Sequence, residues 1–332
     1  MSVLVLNWNG KHLLPRCLGA LGATDYPAGR WEAVVVDNAS TDGSLEDAAR
    51  AFPWITCWRN PENWGFARGY APAVAAAAGP YVVLLNSDTR VRPEWLRALV
   101  GAAEADPRIG AATSKCIFPP DSPHAGHIQN AGGLLLADGS GRDRGTFVRD
   151  GRVSYEPDQG QYERLEEVFF FCGAAALLRT AALEDAGSLD PRYFMYYEDL
   201  DLSWRLRLRA WKVIYVPDAV VEHDHAATSG EWSPMFVYNV ERNRPLMLLK
   251  MAPLPLALRE LGRYTAQLAR SCGHVLYWAV TRRQRGPHAA TARRQARVVA
   301  SWLRDLPGVL HDRRRIRRQR LVPDTAIARW ML

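Results

Sequence analysis

Tyr81-Val82-Val83-Leu84-Leu85 runs straight into Asn86-Ser87-Asp88. An unbroken apolar run of this length describes a strand covered on both faces, and it stops abruptly on polar residues. The same transition occurs twice more. Val3-Leu4-Val5-Leu6 meets Asn7-Trp8-Asn9, and Ala33-Val34-Val35-Val36 meets Asp37-Asn38. Ile55–Trp58 reads as a further strand. Helical spacing fills the gaps. Lys11–Leu21 repeats Leu13, Leu14, Cys17, Leu18 and Leu21; Ser44–Phe52 has Thr41 or Asp42 placed to cap it. Phe66–Ala78 is Ala-rich, with Pro72 tolerable only in a first turn, and Pro93–Ala103 carries Pro93 at its first position. This alternation predicts an open, mostly parallel α/β sheet flanked by helices. Ligands of such sheets bind beyond the carboxyl ends of the strands, where the polar clusters converge.

The 332 residues, 48% hydrophobic and 23% charged, can bury a sizeable core, which excludes a disordered, collagen-like or coiled-coil chain. Five cysteines without a CxxC or CxxH cluster argue against a disulfide scaffold and a structural zinc site, and for a reducing, cytoplasmic setting. The longest uncharged stretch, Ala71–Ser87, is cut by Gly79-Pro80, whereas a membrane span needs ~20 apolar residues. Met1–Asn7 has neither the positive start nor the cleavage site of a signal peptide. Charge is split: residues 1–244 hold 24 basic and 31 acidic residues, residues 245–332 hold 18 and 4. An acidic body with a basic tail predicts an anionic partner for the tail.

Residues 120–165 are Gly-, Asp- and Arg-rich and predict a long loop with one hairpin. Regular structure returns at Val168–Leu178, then as a helix over Asp199–Ala210 and strands at Val213–Val216 and Ala219–Val221. Asp37 suits a capping turn as well as a ligand site. Asp88, at a strand end, is equally a turn residue or an oxygen ligand for a divalent cation. Glu198-Asp199-Leu200-Asp201 fits a helix N-terminus, where acids favour the dipole, or a base beside the aromatic run Tyr193–Tyr197. His223-Asp224-His225 at a strand end is a structural pair or a metal ligand set.

Seven stretches occur together in one order. They are Val34–Ser44, Asn60–Gly69, Leu84–Thr89, Ala131-Gly132-Gly133, Cys172–Ala175, Phe194–Leu202 and Val216–His223. In these the chain resembles the family 2 glycosyltransferases, in particular the rhamnosyltransferase-like branch, from Val3 to about Pro253. The resemblance implies a GT-A fold, with a nucleotide-sugar-binding half (1–110), an acceptor-binding half (111–253) and a basic helical extension (254–332). It implies inverting transfer of a sugar, rhamnose in this branch, from a nucleotide-diphospho-sugar to a lipid-linked or cell-envelope glycan acceptor, with Mg²⁺ or Mn²⁺. It places Asp199 as general base, and Asp88 and His223 as metal ligands. Trp8, Asp37, Asn63, Arg68, Asn86 and Asp88 fall on the donor side. Two positions depart from the pattern: the metal motif reads Asn86-Ser87-Asp88 instead of starting with an acid, and Ala71 replaces a usual Asn.

In the tail, apolar residues recur at 258, 261, 268, 275 and 279, and again at Val298, Val299, Trp302, Leu303, Leu306, Val309 and Leu310. Arginines, among them Arg282-Arg283, lie between and after them. This composition predicts helices on an anionic membrane surface at the inner face of the cell membrane; packing of the helices on the catalytic domain is the alternative. Nucleic acid is not expected, because no aromatic residues interleave the basic run. Two rival functions are a sugar-nucleotidyltransferase, which lacks its Gly-rich phosphate loop here, and a non-catalytic adaptor acting through the tail.

Overall fold

The computed structural model describes residues 1–224, 233–281 and 288–332, so His225 and Arg282-Arg283 lie outside the described residues. Two compact units divide the chain: residues 1–136, 141–228 and 321–332 form one, residues 137–140 and 229–320 the other.

In the first unit the elements are β1 (Ser2–Asn7), α1 (Leu14–Gly22), β2 (Glu32–Asp37), α2 (Ser44–Ala51), β3 (Ile55–Arg59), α3 (Ala67–Ala76), β4 (Tyr81–Asn86), β5 (Thr89–Val91), α4 (Trp95–Ala105) and β6 (Ile109–Ile117). There follow β7 (Ile128–Asn130), β8 (Gly133–Leu135), β9 (Gly141–Asp143), β10 (Thr146–Arg149), β11 (Arg152–Tyr155), β12 (Glu166–Glu167), β13 (Ala175–Arg179), α5 (Thr180–Ala186), α6 (Glu198–Leu208) and β14 (Lys212–His223). The main sheet runs β12-β14-β6-β13-β4-β1-β2-β3, with β5 on β14 and β7 on β6. Strands β3, β2, β1 and β4 are parallel, while β13 runs against β4 and β6. Val3, Val5, Val35, Val83, Leu85 and Leu177 form one apolar face with Leu14, Leu18 and Leu21 of α1 and Trp95 and Leu99 of α4. Each such aliphatic side chain contributes about 1.5–3 kcal/mol on burial.

Several local expectations change. The N-cap of α2 is Gly43, without a side-chain cap; Asp42 instead accepts from the Ser44 and Lys11 N–H groups, tying two loops together. Pro72 sits inside α3, not in its first turn. Helix α4 starts at Trp95 after Glu94, and the Pro93 carbonyl accepts from Asp25 N–H. Residues 120–165 are not a loop with one hairpin: they hold β7 and two antiparallel hairpins, β8–β9 and β10–β11. Only Ala175–Arg179 of the 168–178 segment is strand, because Val168–Phe171 is a buried, largely aromatic run at its foot. The two strands expected at 213–221 are one, β14, whose register on β6 jumps between Val216 and Val220, where Pro217 has no N–H to offer the ladder.

The second unit is helical: α7 (Pro234–Met251), α8 (Leu254–Val280) and α9 (His288–Gln319). Val298, Trp302 and Val309 of α9, expected on a membrane, are buried in this unit's own core; Trp302 donates to the Arg242 carbonyl and stacks against Tyr264. One amphipathic period serves packing as well as lipid. Arg294 pairs with Glu241, and Arg313 and Arg317 donate to the final carbonyls of α7, so these arginines are spent internally. On α8 the expected stripe is partly open: Leu258 is 55% exposed and Leu261, Leu268 and Val275 are half-buried, while Leu276 and Val280, off that stripe, are 66% and 81% exposed. After α9, α10 (Asp324–Ala328) and the residues around it belong to the first unit, where Trp330 lies over the Arg207 guanidinium and Met331 bridges to Leu135.

Helix α6 is anchored by one buried ion pair. Arg205 reaches Asp201 at 2.7 Å and donates to the carbonyls of Ala186, Gly187 and Ser188, while Tyr193 donates to the other Asp201 oxygen. Removing one partner strands a buried charge, which costs about 3–5 kcal/mol. Arg205→Met is expected to lose that much in urea unfolding; a loss below about 1 kcal/mol would show that the pair does not hold α6.

Candidate active site

Parallel pairing brings the polar strand ends together. Asn7 is level with Asp37, Leu6 with Asn86, and Asp37 with Arg59. Asp37 is fully buried: Asn7 Nδ2 donates to one oxygen at 2.9 Å, and Ser40 donates through its hydroxyl and its N–H. Trp8, by contrast, is 43% exposed at the end of β1. Asn63 accepts from the Gly65 N–H in a tight turn, and Arg68 stacks on Trp64 at 4.3 Å. Gly65 has φ +69°, and a Cβ there would collide with the Phe194 carbonyl, to which Phe66 N–H donates. Only glycine lets this turn sit on the aromatic run that precedes Glu198.

Antiparallel pairing of β5 with β14 sets His223 opposite Thr89, and Asp224 N–H donates to the Asp88 carbonyl. His223 Nε2 therefore lies 3.3 Å from Asp88 Oδ1, a buried oxygen with no hydrogen-bond partner. His223 Nδ1 meets Gln129 Oε1 at 2.5 Å, so Nδ1 carries an N–H, and Nε2 is the ring nitrogen that faces Asp88. The His223 pKa is lowered by burial and raised by the Asp88 carboxylate, and the net shift is upward. An orphaned carboxylate oxygen beside an imidazole nitrogen is a fitting pair of ligands for one cation. Among the described residues no group of three or more His, Cys, Asp or Glu that could hold a metal ion converges.

The three acids at the start of α6 have different surroundings. Asp201 is committed to Arg205 and Tyr193. Glu198 is buried, with Oε2 unpartnered, and burial together with the Asp199 charge raises its pKa well above the ordinary range. Asp199 is half-buried and accepts from the Leu200 N–H at 2.7 Å. Burial and the nearby Asp143 carboxylate raise its pKa to about 7. Two tyrosines, Tyr196 and Tyr197, hold φ of +71° and +72° just before this turn, a strained backbone of the kind found where a side chain must be aimed.

Two residues of this cleft escaped the sequence reading. Gln129 and Asp143 both lie in the stretch taken for loop, and no motif marks them. The hairpin β8–β9 carries Asp143, whose Oδ1 accepts from Asn130 Nδ2 at 2.7 Å. Burial raises its pKa to about 6.

The chain belongs to glycosyl transferase family 2, whose model matches residues 2–187. It is 30% identical, over 243 residues, to the N-acetylglucosaminyl-diphospho-decaprenol L-rhamnosyltransferase of Mycobacterium tuberculosis, covering 69% of this chain and 78% of that one. It is 25% identical to the pre-mycofactocin glycosyltransferase of the same organism, covering 71% and 48%. Two solved structures share the fold: GalNAc-T7 with UDP, GalNAc and Mn²⁺ (TM-score 0.55, 14% identity, 75% of this chain and 49% of that one) and Staphylococcus aureus TarS 1–349 with UDP-GlcNAc (0.53, 17%, 80% and 72%).

Two outcomes follow from this geometry. A base works as its carboxylate, and Asp199 ionises only as pH rises towards 7, so kcat/KM is expected to fall tenfold per unit below about pH 7. Asp199→Asn should lower kcat by roughly 10²–10⁴ and Glu198→Gln far less; the reverse ranking would move the base to Glu198. The folded state binds this proton more tightly than the unfolded chain, so stability from the group is present below the ordinary value of 3.8 and lost as pH rises through about 7. Asp199→Asn is therefore expected to melt no lower than the parent at pH 8. Separately, Mn²⁺ titration followed by electron paramagnetic resonance should show Asp88→Ala weakening binding more than His223→Ala, since only the carboxylate brings charge. Gln129→Leu should weaken it by about 10-fold or more through the lost orientation of His223; unchanged binding in all three would place the cation elsewhere.

Proposed function

We propose that this glycosyltransferase moves L-rhamnose, with inversion, from a nucleoside-diphospho-sugar to an N-acetylglucosaminyl-diphospho-polyprenol or a similar lipid-linked glycan. The observation that carries the reading is Asp88 Oδ1 set 3.3 Å from His223 Nε2, with the raised-pKa Asp199 on the adjoining helix. The printed activity of the Mycobacterium tuberculosis relative supports this choice of sugar and acceptor.

Asp88 and His223 would hold a divalent cation, Mg²⁺ or Mn²⁺, whose charge offsets that of the departing diphosphate. Trp8 offers its exposed face to the base, and Asn63, Arg68 and Asn86 border the donor side. Asp37 acts from beneath, fixing Asn7 and Ser40, and reaches a nucleoside only by exchanging one of those bonds. Asp199 accepts the proton of the acceptor hydroxyl as its oxygen attacks the anomeric carbon. The bond from that carbon to the diphosphate oxygen breaks, and the oxygen keeps the electron pair. One displacement at one carbon inverts its configuration.

No helix among the described residues is long and apolar enough to cross a membrane. Attachment to an anionic leaflet would use α8, whose Leu254, Leu258, Leu276 and Val280 are exposed beside the exposed Arg270, together with the exposed Leu303, Arg314, Arg315 and Arg318 of α9.

The reaction is tested with nucleoside-diphospho-rhamnose and a short-chain N-acetylglucosaminyl-diphospho-polyprenol, with and without chelator, reading the product anomer by NMR. Transfer that stops in chelator and inverts the anomeric centre is expected; retention, or full rate in chelator, would overturn the mechanism. Vesicle flotation tests the surface. The full chain should bind anionic vesicles at low salt and bind less at 1 M salt, where screening shortens to ~3 Å. Leu258→Glu with Leu276→Glu should release it, and failure of the parent to float would remove the membrane from the account.

A further inference from the structure

The β10–β11 ribbon takes no part in the site described above. It is a sheet of two strands apart from the main one, with Phe147 opposite Ser154, Val148 opposite Val153 and Arg149 opposite Arg152. Asp150 and Gly151 close it with φ of +53° and +74°, a two-residue turn whose twist matches that of the strands. At ~3.3 Å per residue the tip stands about 10 Å from the base. The base is fixed. Glu156 N–H donates to the Gly145 carbonyl and Ile128 N–H to the Glu156 carbonyl, and a Cβ on Gly145 would sit 2.6 Å from Ile128 Cγ2. Ile128 precedes Gln129, so the ribbon is rooted one residue from the side chain that holds the His223 imidazole.

In water the tip is costly on two counts. Side chains alternate between the faces of a strand, so the opposed Val148 and Val153 share one face, and they are 67% and 42% exposed. Phe147, on the other face, is exposed as well. Single exposed apolar residues are ordinary, but an opposed pair on a free ribbon forms a patch. The second cost is charge. Arg149 and Arg152 are both exposed and directly opposite each other, and like charges so placed destabilise a ribbon. Among the described residues neither guanidinium has a partner, and Asp150 in the turn pairs with neither. An anion within reach of both arginines relieves the second cost, and an apolar phase under the valines relieves the first. The interface of an anionic bilayer supplies the two together.

We propose that the β10–β11 ribbon is a membrane contact of the first unit: it lies in the headgroup region of an anionic leaflet, with Val148 and Val153 towards the acyl chains and Arg149 and Arg152 on lipid phosphates. The planar guanidinium fork suits phosphate oxygens, and two forks side by side grip one headgroup. The inference deepens the reading of a lipid-linked acceptor and rests on it, because the ribbon's root beside Gln129 ties the acceptor's own surface to the His223 side of the site. The ribbon and α8 belong to different units, so substitutions separate the two contacts.

The test is hydrogen exchange of the full chain, read by mass spectrometry with phosphatidylglycerol-containing vesicles, with pure phosphatidylcholine vesicles and with none. Amides of 146–155 are expected to slow with the anionic vesicles only. Arg149→Gln with Arg152→Gln should weaken partition onto those vesicles by about 10-fold or more, the scale of two lost arginine contacts, while Arg149→Lys with Arg152→Lys should retain most of it. The glutamine pair removes a repulsion, so its thermal midpoint should not fall below the parent's. With acceptor embedded in the vesicles its KM should rise about 10-fold, and with the short-chain acceptor in solution it should stay within twofold. A parent that floats with anionic vesicles but gains no protection at 146–155, or a glutamine pair that partitions normally, would overturn the ribbon's role alone. Protection that instead appears without vesicles as protein concentration rises would also overturn it, in favour of a second copy of the chain. A parent that does not float would overturn the membrane reading and this inference with it, whereas absence of transfer to the short-chain acceptor would count against the transferase reading.

Discussion

The antiparallel register of β5 on β14 is the constraint on which the site depends. It sets His223 opposite Thr89 and so beside Asp88, although 134 residues lie between the two in the chain. Neither residue alone is informative: an acid at a strand end is often a turn, and a buried histidine is often structural. Held 3.3 Å apart, with Gln129 fixing the imidazole from behind, they become a pair whose oxygen and nitrogen converge. The rest of the first unit keeps that register in place. Beyond the irregularity at Pro217, β14 keeps pairing with β6 on one side while it meets β5 on the other, and the buried Arg205–Asp201 pair fixes α6, which carries the acid proposed to accept the proton.

Division of labour among the acids comes from surroundings. Asp201 has a guanidinium and a phenol; Glu198 has burial and no partner for one oxygen; Asp199 has a backbone N–H and an open side. The same carboxyl group is thus a structural anchor, a buried acid with a raised pKa and a proposed base within four consecutive residues. Asp143, on a hairpin rather than a helix, is a further case, with Asn130 donating to one oxygen. Gly65 ties the Asn63 turn to the chain before α6, because its missing Cβ lets that turn rest on Phe194, at the start of the strained tyrosines.

The parallel half of the fold was legible from residues because its strands are buried on both faces: Val34–Val36 and Tyr81–Leu85 admit few other structures. Asp88, Asp199 and His223 were legible as candidates through motifs at strand and helix ends. What pairs them was not, since the register of β5 on β14 is a long-range fact that local spacing does not contain. Residues 120–165 misled for a related reason. Short strands rich in Gly, Asp and Arg lack a sustained period, so one hairpin was expected where two stand, and Gln129 and Asp143 passed for loop. The stripe of α9 misled in another way, as Val298 and Trp302 have the period of a membrane-facing helix and the burial of a core. Amphipathicity shows that a face is covered, and leaves open what covers it.

The central claim is that Asp88 and His223 together hold the cation that receives the donor's diphosphate. Anomalous diffraction from crystals grown with Mn²⁺ and a nucleoside diphosphate tests it most directly. The account predicts one anomalous peak within about 2.0–2.4 Å of both Asp88 Oδ1 and His223 Nε2, with the diphosphate completing its shell. A bound nucleoside diphosphate with no peak at that position, or a peak ligated by other side chains, would contradict it.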